Sequence, residues 1–191
     1  MIDFSKVRSG EQTFGDIAAT LSKEDLYTLT DEMIDLMRSY IADAVDADVT
    51  FQPIDPDAND PYASDSSAVN EAWTLGHVIV HATASSEESA ALALQLARGI
   101  PVEGRSRYET PWETMKTVDQ LVQRLEESRR MRKAMLDAWP DQPNLELSYE
   151  PWPGAGQMNA VARFILGLAH DSSHLGQIQE IMRQARAARG A

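Results

Sequence analysis

The sequence predicts an all-α protein, a four-helix bundle with long connecting loops. Two observations carry that prediction. Four segments repeat apolar residues at the helical period, and each stands between breaks rich in proline, glycine or acidic residues. No strand pattern competes strongly with them: only Leu145-Glu-Leu-Ser-Tyr149 alternates, and briefly. Four amphipathic helices joined by substantial connections bury their apolar stripes most simply against one another.

The opening segment to about Leu21 is weakly patterned and leaves room for a short helix. Ser22 and Asp25 then resemble a helix start, with the hydroxyl and the carboxylate placed to satisfy free backbone N–H groups. Leu26, Leu29, Met33, Leu36, Met37, Tyr40 and Ile41 form the stripe of the first long helix, which ends in an acidic run through Asp48. From about Val49 to Ser67, Pro53, Pro56 and Pro61 forbid a continuous helix. Thr74 is the expected N-cap of the second helix, which runs to about Arg98 and stops at Gly99 and Pro101. Thr110-Pro-Trp-Glu113 has the cap, proline and glutamate of a helix start, so the third helix is expected to begin there and to end before Pro140. The loop that follows holds Pro143, Pro151, Pro153, Gly154 and Gly156. Its Tyr149 and Trp152 suggest a segment folded back over the bundle, as a cover or a lid. The fourth helix is expected from near Asn159 to about Ala187. Its stretch from Val161 to Ala169 is apolar almost all round, which predicts burial on several sides.

With 191 residues, the chain suits one domain, 1–191, with a sizeable core. Seventeen basic against 30 acidic residues give a net charge of -13, which opposes binding of nucleic acid through a basic face. The absence of cysteine excludes disulfides, Fe–S ligation, thiolate zinc sites and a cysteine nucleophile. Met1-Ile-Asp-Phe-Ser-Lys6 lacks the apolar core of a signal peptide, and no apolar run approaches the ~18 residues of a membrane span. The expected setting is the cytoplasm, with no membrane partner.

All four histidines fall into two pairs, His77-Val-Ile-Val-His81 and His170-Asp-Ser-Ser-His174. The i, i+4 spacing puts each pair on one helix face. His77, His81 and Glu88 share a stripe on the second helix, with Ser85 beside it; His170, His174 and Gln177 share one on the fourth. Val80, Ala84, Leu166, Ala169 and Leu175 beside them are small or apolar, so the histidines are expected to face the core. Imidazoles there need partners, and a shared transition-metal ion would satisfy several lone pairs together. Hydrogen-bonded core histidines are the plainer alternative, and spacing alone leaves both open. Glu88 is the candidate general base or acceptor near the ligands, against a plain role as a solvated helix glutamate. Trp73 and Trp112 read as core anchors, and Asp171 as facing away from the histidines.

The stretch Trp73-Thr-Leu-Gly-His-Val-Ile-Val-His81-Ala-Thr-Ala-Ser-Ser-Glu87-Glu88 resembles the second-helix motif of the DinB-like superfamily, and His170-Asp-Ser-Ser-His174-Leu-Gly-Gln-Ile resembles its last-helix motif. The resemblance implies an up-down-down-up four-helix bundle and a divalent metal, zinc or nickel, on His81, His170 and His174. His77 has no counterpart among those ligands. The family's acidic residue, about five positions after the second-helix histidine, is displaced here to Glu87 or Glu88. The resemblance further implies a metal-dependent enzyme acting on a small molecule. This would be a hydrolase, or an S-transferase with a low-molecular-weight thiol cosubstrate such as bacillithiol, mycothiol or glutathione. It also implies a homodimer. The alternatives are a non-catalytic metal-binding or stress-response protein and a helical interaction module.

Overall fold

A computed structural model describes residues 1–60, 66, 69–104 and 109–190. Among them are seven α-helices: α1 (Ser5–Arg8), α2 (Phe14–Ala18), α3 (Lys23–Tyr40), α4 (Asp46–Val49), α5 (Leu75–Ala97), α6 (Val118–Asp137) and α7 (Ala160–Ala188). The described residues contain no strand, and the Tyr149 alternation survives only as an isolated bridge to Met158. The expected connection around Pro53 and Pro56 is present, whereas Pro61 and Ser67 lie outside the described residues.

The four long helices begin where side chains close their first turns. Ser22 Oγ accepts from the Asp25 N–H while Asp25 accepts from the Ser22 N–H. Thr74 Oγ1 accepts from the His77 N–H, and Asn159 Oδ1 from the Ala162 N–H. Such a cap contributes about 1 kcal/mol. Gly99, in the left-handed region at φ 71°, closes α5 as expected.

The start of the third long helix needs correction. Thr110-Pro-Trp-Glu113 leads only into a single 3₁₀ turn, Trp112–Thr114. Met115 is extended, and α6 begins at Val118 under a second capping box, Thr117 with Gln120. The turn is tied to α5, where the Trp112 ring stacks on His77 and Met115 packs at Gly76. Continuing the helix from Pro111 would pull those groups off α5. The short helices α1, α2 and α4 carry too few apolar positions to show a period. On α3, Thr30 and Ile34 join the buried face while Leu29 and Leu36 are only partly buried; Thr30 Oγ1 donates to the Leu26 carbonyl and enters the core satisfied.

Helix α3 packs against α6 and α7, and α5 against α6 and most extensively α7. Between α3 and α6 the polar contacts form a ladder. Tyr27 donates to Asp137, Lys133 to Asp31, Arg129 to Asp31 and Asp35, and Arg38 to Glu126. Exposed pairs of this kind contribute under about 1 kcal/mol each, so the ladder specifies pairing more than stability. The core is apolar and continuous from Phe4 to Met182, and a charged pair is sealed within it. Arg132 Nη1 lies 2.6 Å from Asp171 Oδ2, with the two side chains 1% and 0% exposed. Ser86 Oγ donates to the same carboxylate, and Arg132 Nε donates to Ser128 Oγ. Asp171 therefore turns away from the histidines, as expected, but into the centre of the molecule. Burial pushes its carboxyl up against the pull of Arg132. Removing one partner of such a pair costs about 3–5 kcal/mol, so it locks α5, α6 and α7 in one arrangement.

Candidate metal centre

His81 stands two turns into α5, and His170 and His174 in the middle of α7. Helix periodicity aims the α7 pair at one face, and close packing brings that face to His81. Gly167 makes the approach possible. A Cβ there would lie 2.8 Å from Ser89 Cβ and 3.1 Å from Ser86 Cα, so only glycine fits without moving α5 from α7.

His81, His170 and His174 each offer a ring nitrogen within 4.8 Å of the others. His81 Nε2 and His170 Nε2 are 3.2 Å apart. With metal–nitrogen bonds of about 2.0–2.1 Å, two nitrogens on one ion lie about 3.3 Å apart in a tetrahedron and about 2.9 Å in an octahedron. The observed spacing falls between them. The third ring is oriented from outside: His174 Nδ1 lies 2.9 Å from Gln177 Oε1. An amide oxygen only accepts, so the proton sits on Nδ1 and the Nε2 lone pair is free to bind a metal. Three neutral imidazoles without thiolate suit a divalent transition metal, and the residues present fit one.

The remaining predicted residues are placed differently. His77 lies between Trp73 and Trp112, with ring centroids at 4.3 and 4.7 Å, and is not one of the clustered three. Burial lowers its pKa to about 4 despite the nearby Glu109 carboxylate. The two tryptophans are half-buried and wall the histidines; Trp73 also packs against the core, as expected, and stacks on His174 at 5.9 Å. Leu166, Ala169 and Leu175 are only partly buried, whereas Val80 and Ala84 are buried as expected. Glu88 is buried on α5, about 10 Å along the helix from His81 at 1.5 Å per residue. Glu87 turns to α6, where it pairs with Arg124, and burial raises its pKa.

Sequence reasoning missed Glu109, whose Oε1 is 3.6 Å from His81 Nδ1. It sits in a loop with no period to mark it; its only signal was its place three residues before Trp112. The loop after α6 does fold back. Tyr149 accepts from Arg163 Nε, one helical stretch before His170, while Trp152 stays 50% exposed. Tyr149 thus covers the start of α7, and Trp152 packs as neither cover nor core.

Beside the histidines lies a groove of about 490 Å³, lined by the 53–59 segment, Trp73, His174 and the second half of α7. No helix of the described chain is long and apolar enough to cross a membrane. No curated protein and no solved structure matches the chain significantly. The family model of the DinB superfamily, however, matches residues 29–178, a span that holds the three clustered histidines, Trp73, most of α3, all of α5 and α6, and α7 as far as Ile178. The chain belongs to the DinB superfamily.

Proposed function

We propose that the protein holds one divalent metal ion, zinc or nickel, on His81, His170 and His174, and uses it on a small molecule. The observation that carries this reading is the convergence of three ring nitrogens from two helices, one of them oriented by Gln177. Three protein ligands leave an open position on the ion, the mark of a catalytic rather than a closed structural site. When bound, such an ion acidifies a coordinated water or holds a thiol as thiolate. A hydrolase or an S-transferase with a low-molecular-weight thiol cosubstrate follows from that chemistry and from the family.

The chain's own groups have assigned parts in this reading. Gln177 fixes the His174 tautomer. Trp73 excludes water from one side of the ligand rings. Glu88 serves as the general base or acceptor in this reading; its burial on α5 removes the alternative of a solvated helix glutamate. Glu109 steadies His81 from the Nδ1 side. Glu88→Gln and Glu109→Gln separate the two carboxylates: the first is expected to lower turnover with metal content intact, the second to lower metal content.

The same reading takes residues 1–191 as one domain, an up-down-down-up four-helix bundle. Paired positions give two of its helix relations. Along α3 and α6 the contacts run from Tyr27–Asp137 to Arg38–Glu126, and along α5 and α7 from His81–His170 to Ser89–Arg163. In both pairs one number rises as the other falls, as in antiparallel neighbours. A homodimer in the cytoplasm completes the proposal, and sedimentation at high protein concentration checks the dimer.

Metal per chain tests the centre. His174→Ala is expected to abolish most occupancy, and His77→Ala to reduce it much less. Equal loss in both variants would make His77 a ligand, and full occupancy in His174→Ala would end the three-histidine reading. A second reading rests on the 3.2 Å His81–His170 spacing, which also suits an N–H···N hydrogen bond in a metal-free helical module. Wild-type protein that takes up no zinc or nickel would favour it.

A further inference from the structure

We propose that the groove beside the histidines selects a small organic cation and disfavours anionic ligands, anionic thiols included. The inference rests on the reading of the histidine cluster as a centre that acts on a small molecule.

The groove is a built feature. At about 490 Å³ it has the size of a small-molecule site. His174 of the cluster forms part of its wall, so a ligand held there lies against the ring that the metal would use. Its outer wall is clasped to α7. Gln184 Nε2 donates to the Ile54 carbonyl at 2.9 Å, and Gln184 Oε1 accepts from the Ile54 N–H at 2.8 Å. Two of this amide's three hydrogen bonds go to one backbone residue, the third running from Nε2 to Glu180 Oε1, and the clasp holds the 53–59 segment at a set distance from the helix.

Among the described residues, the charge of the groove has one sign. Asp55, Asp57, Glu71 and Glu180 line it, and no lysine or arginine does among the described residues. Glu180 is compensated by Arg183 outside the groove. Asp55, Asp57 and Glu71 form no ion pair with any described residue. No lysine or arginine occurs anywhere between Arg38 and Arg98, so no near neighbour in the chain compensates them. The 53–59 wall and the approach to α5 are therefore built entirely from a stretch that has acidic residues and no basic ones. A concave site with carboxylates on a low-dielectric wall concentrates cations and repels anions. Trp73 adds an aromatic wall, which also favours a cationic head. Glutathione, with two carboxylates and one ammonium, would enter against this field.

Calorimetric titration of three probes tests the inference: hexyltrimethylammonium, heptanoate and glutathione. The quaternary ammonium has a fixed charge and no lone pair, so it cannot bind through the metal. In chelator-treated protein, hexyltrimethylammonium is expected to bind about tenfold or more tightly than heptanoate. Asp55→Asn combined with Glu71→Gln is expected to bring the two affinities within about threefold, while the charge-preserving Asp55→Glu keeps the preference. Circular dichroism checks that the variants fold. Heptanoate or glutathione binding as tightly as the cation overturns the inference, as does a preference that survives in the double variant. A zinc titration on the same samples keeps the two readings apart. Zinc uptake without cation preference sinks the groove inference alone, and cation preference without zinc uptake sinks the metal centre and leaves the groove's selectivity standing.

Discussion

His77 lies stacked between Trp73 and Trp112 and is held neutral by the burial that lowers its pKa to about 4 from an ordinary 6.5. The folded state therefore resists protonation where the unfolded state accepts it. Stability from this residue is complete above about pH 6.5 and is lost as pH falls toward 4. His77→Phe keeps a ring in the stack and removes the titration. In chelator-treated protein, thermal melting from pH 7 to 4 is expected to show a smaller acid loss in His77→Phe than in wild type; identical losses would mean that His77 does not contribute. Chelation matters because metal binding requires neutral imidazoles and so would add its own pH dependence. The pairing of His77 with His81 at i, i+4 was legible in the sequence, but its meaning was not. The spacing only says that two rings share a helix face. Which neighbour each ring meets depends on Trp112, a residue from a separate loop.

Gly167 shows the same dependence for an element. In the sequence it is one glycine in an apolar stretch, Ile165-Leu-Gly-Leu168. In the fold it is the point where α7 touches the backbone of α5 at Ser86. Gly167→Ala would gain about 1 kcal/mol of helix propensity, yet the added carbon meets Ser89 Cβ and Ser86 Cα, neither of which is the end of a flexible side chain. Overpacking of this kind costs about 1–3 kcal/mol. A net loss of up to about 2 kcal/mol is expected in denaturant melts. The same step widens the α5–α7 gap, so zinc affinity in Gly167→Ala is expected to fall more than stability does. Unchanged zinc affinity would mean that the close approach does not set the histidine geometry. Caps were the best-read feature at this scale. Ser22, Thr74 and Asn159 stand where expected because a cap is a local hydrogen bond between near neighbours. The start of α6 was misread for the opposite reason: two adjacent cap signals compete, and contact with α5 decides between them.

Over the whole molecule, the proposed metal binding would be linked to folding, since the unfolded chain cannot bring residues 81, 170 and 174 together. An ion that binds only the folded state at a free concentration of 100 times its Kd adds about 2.7 kcal/mol. Zinc or nickel is therefore expected to raise Tm, and a chelator to reverse the rise. A Tm unmoved by either ion would argue against binding to the native state. Histidine spacing, cap residues and apolar period were properties of the sequence alone, and they determined the helical class, three of the four long-helix starts and the resemblance that singled out His81, His170 and His174. Each depends on residues within a turn or two of one another. The approach of α5 to α7 at Gly167, the Arg132–Asp171 pair at 2.6 Å, Glu109 beside His81 and the acid-lined groove were decided only by tertiary structure. Each joins segments far apart in the chain, and no local period records which distant side chain will arrive.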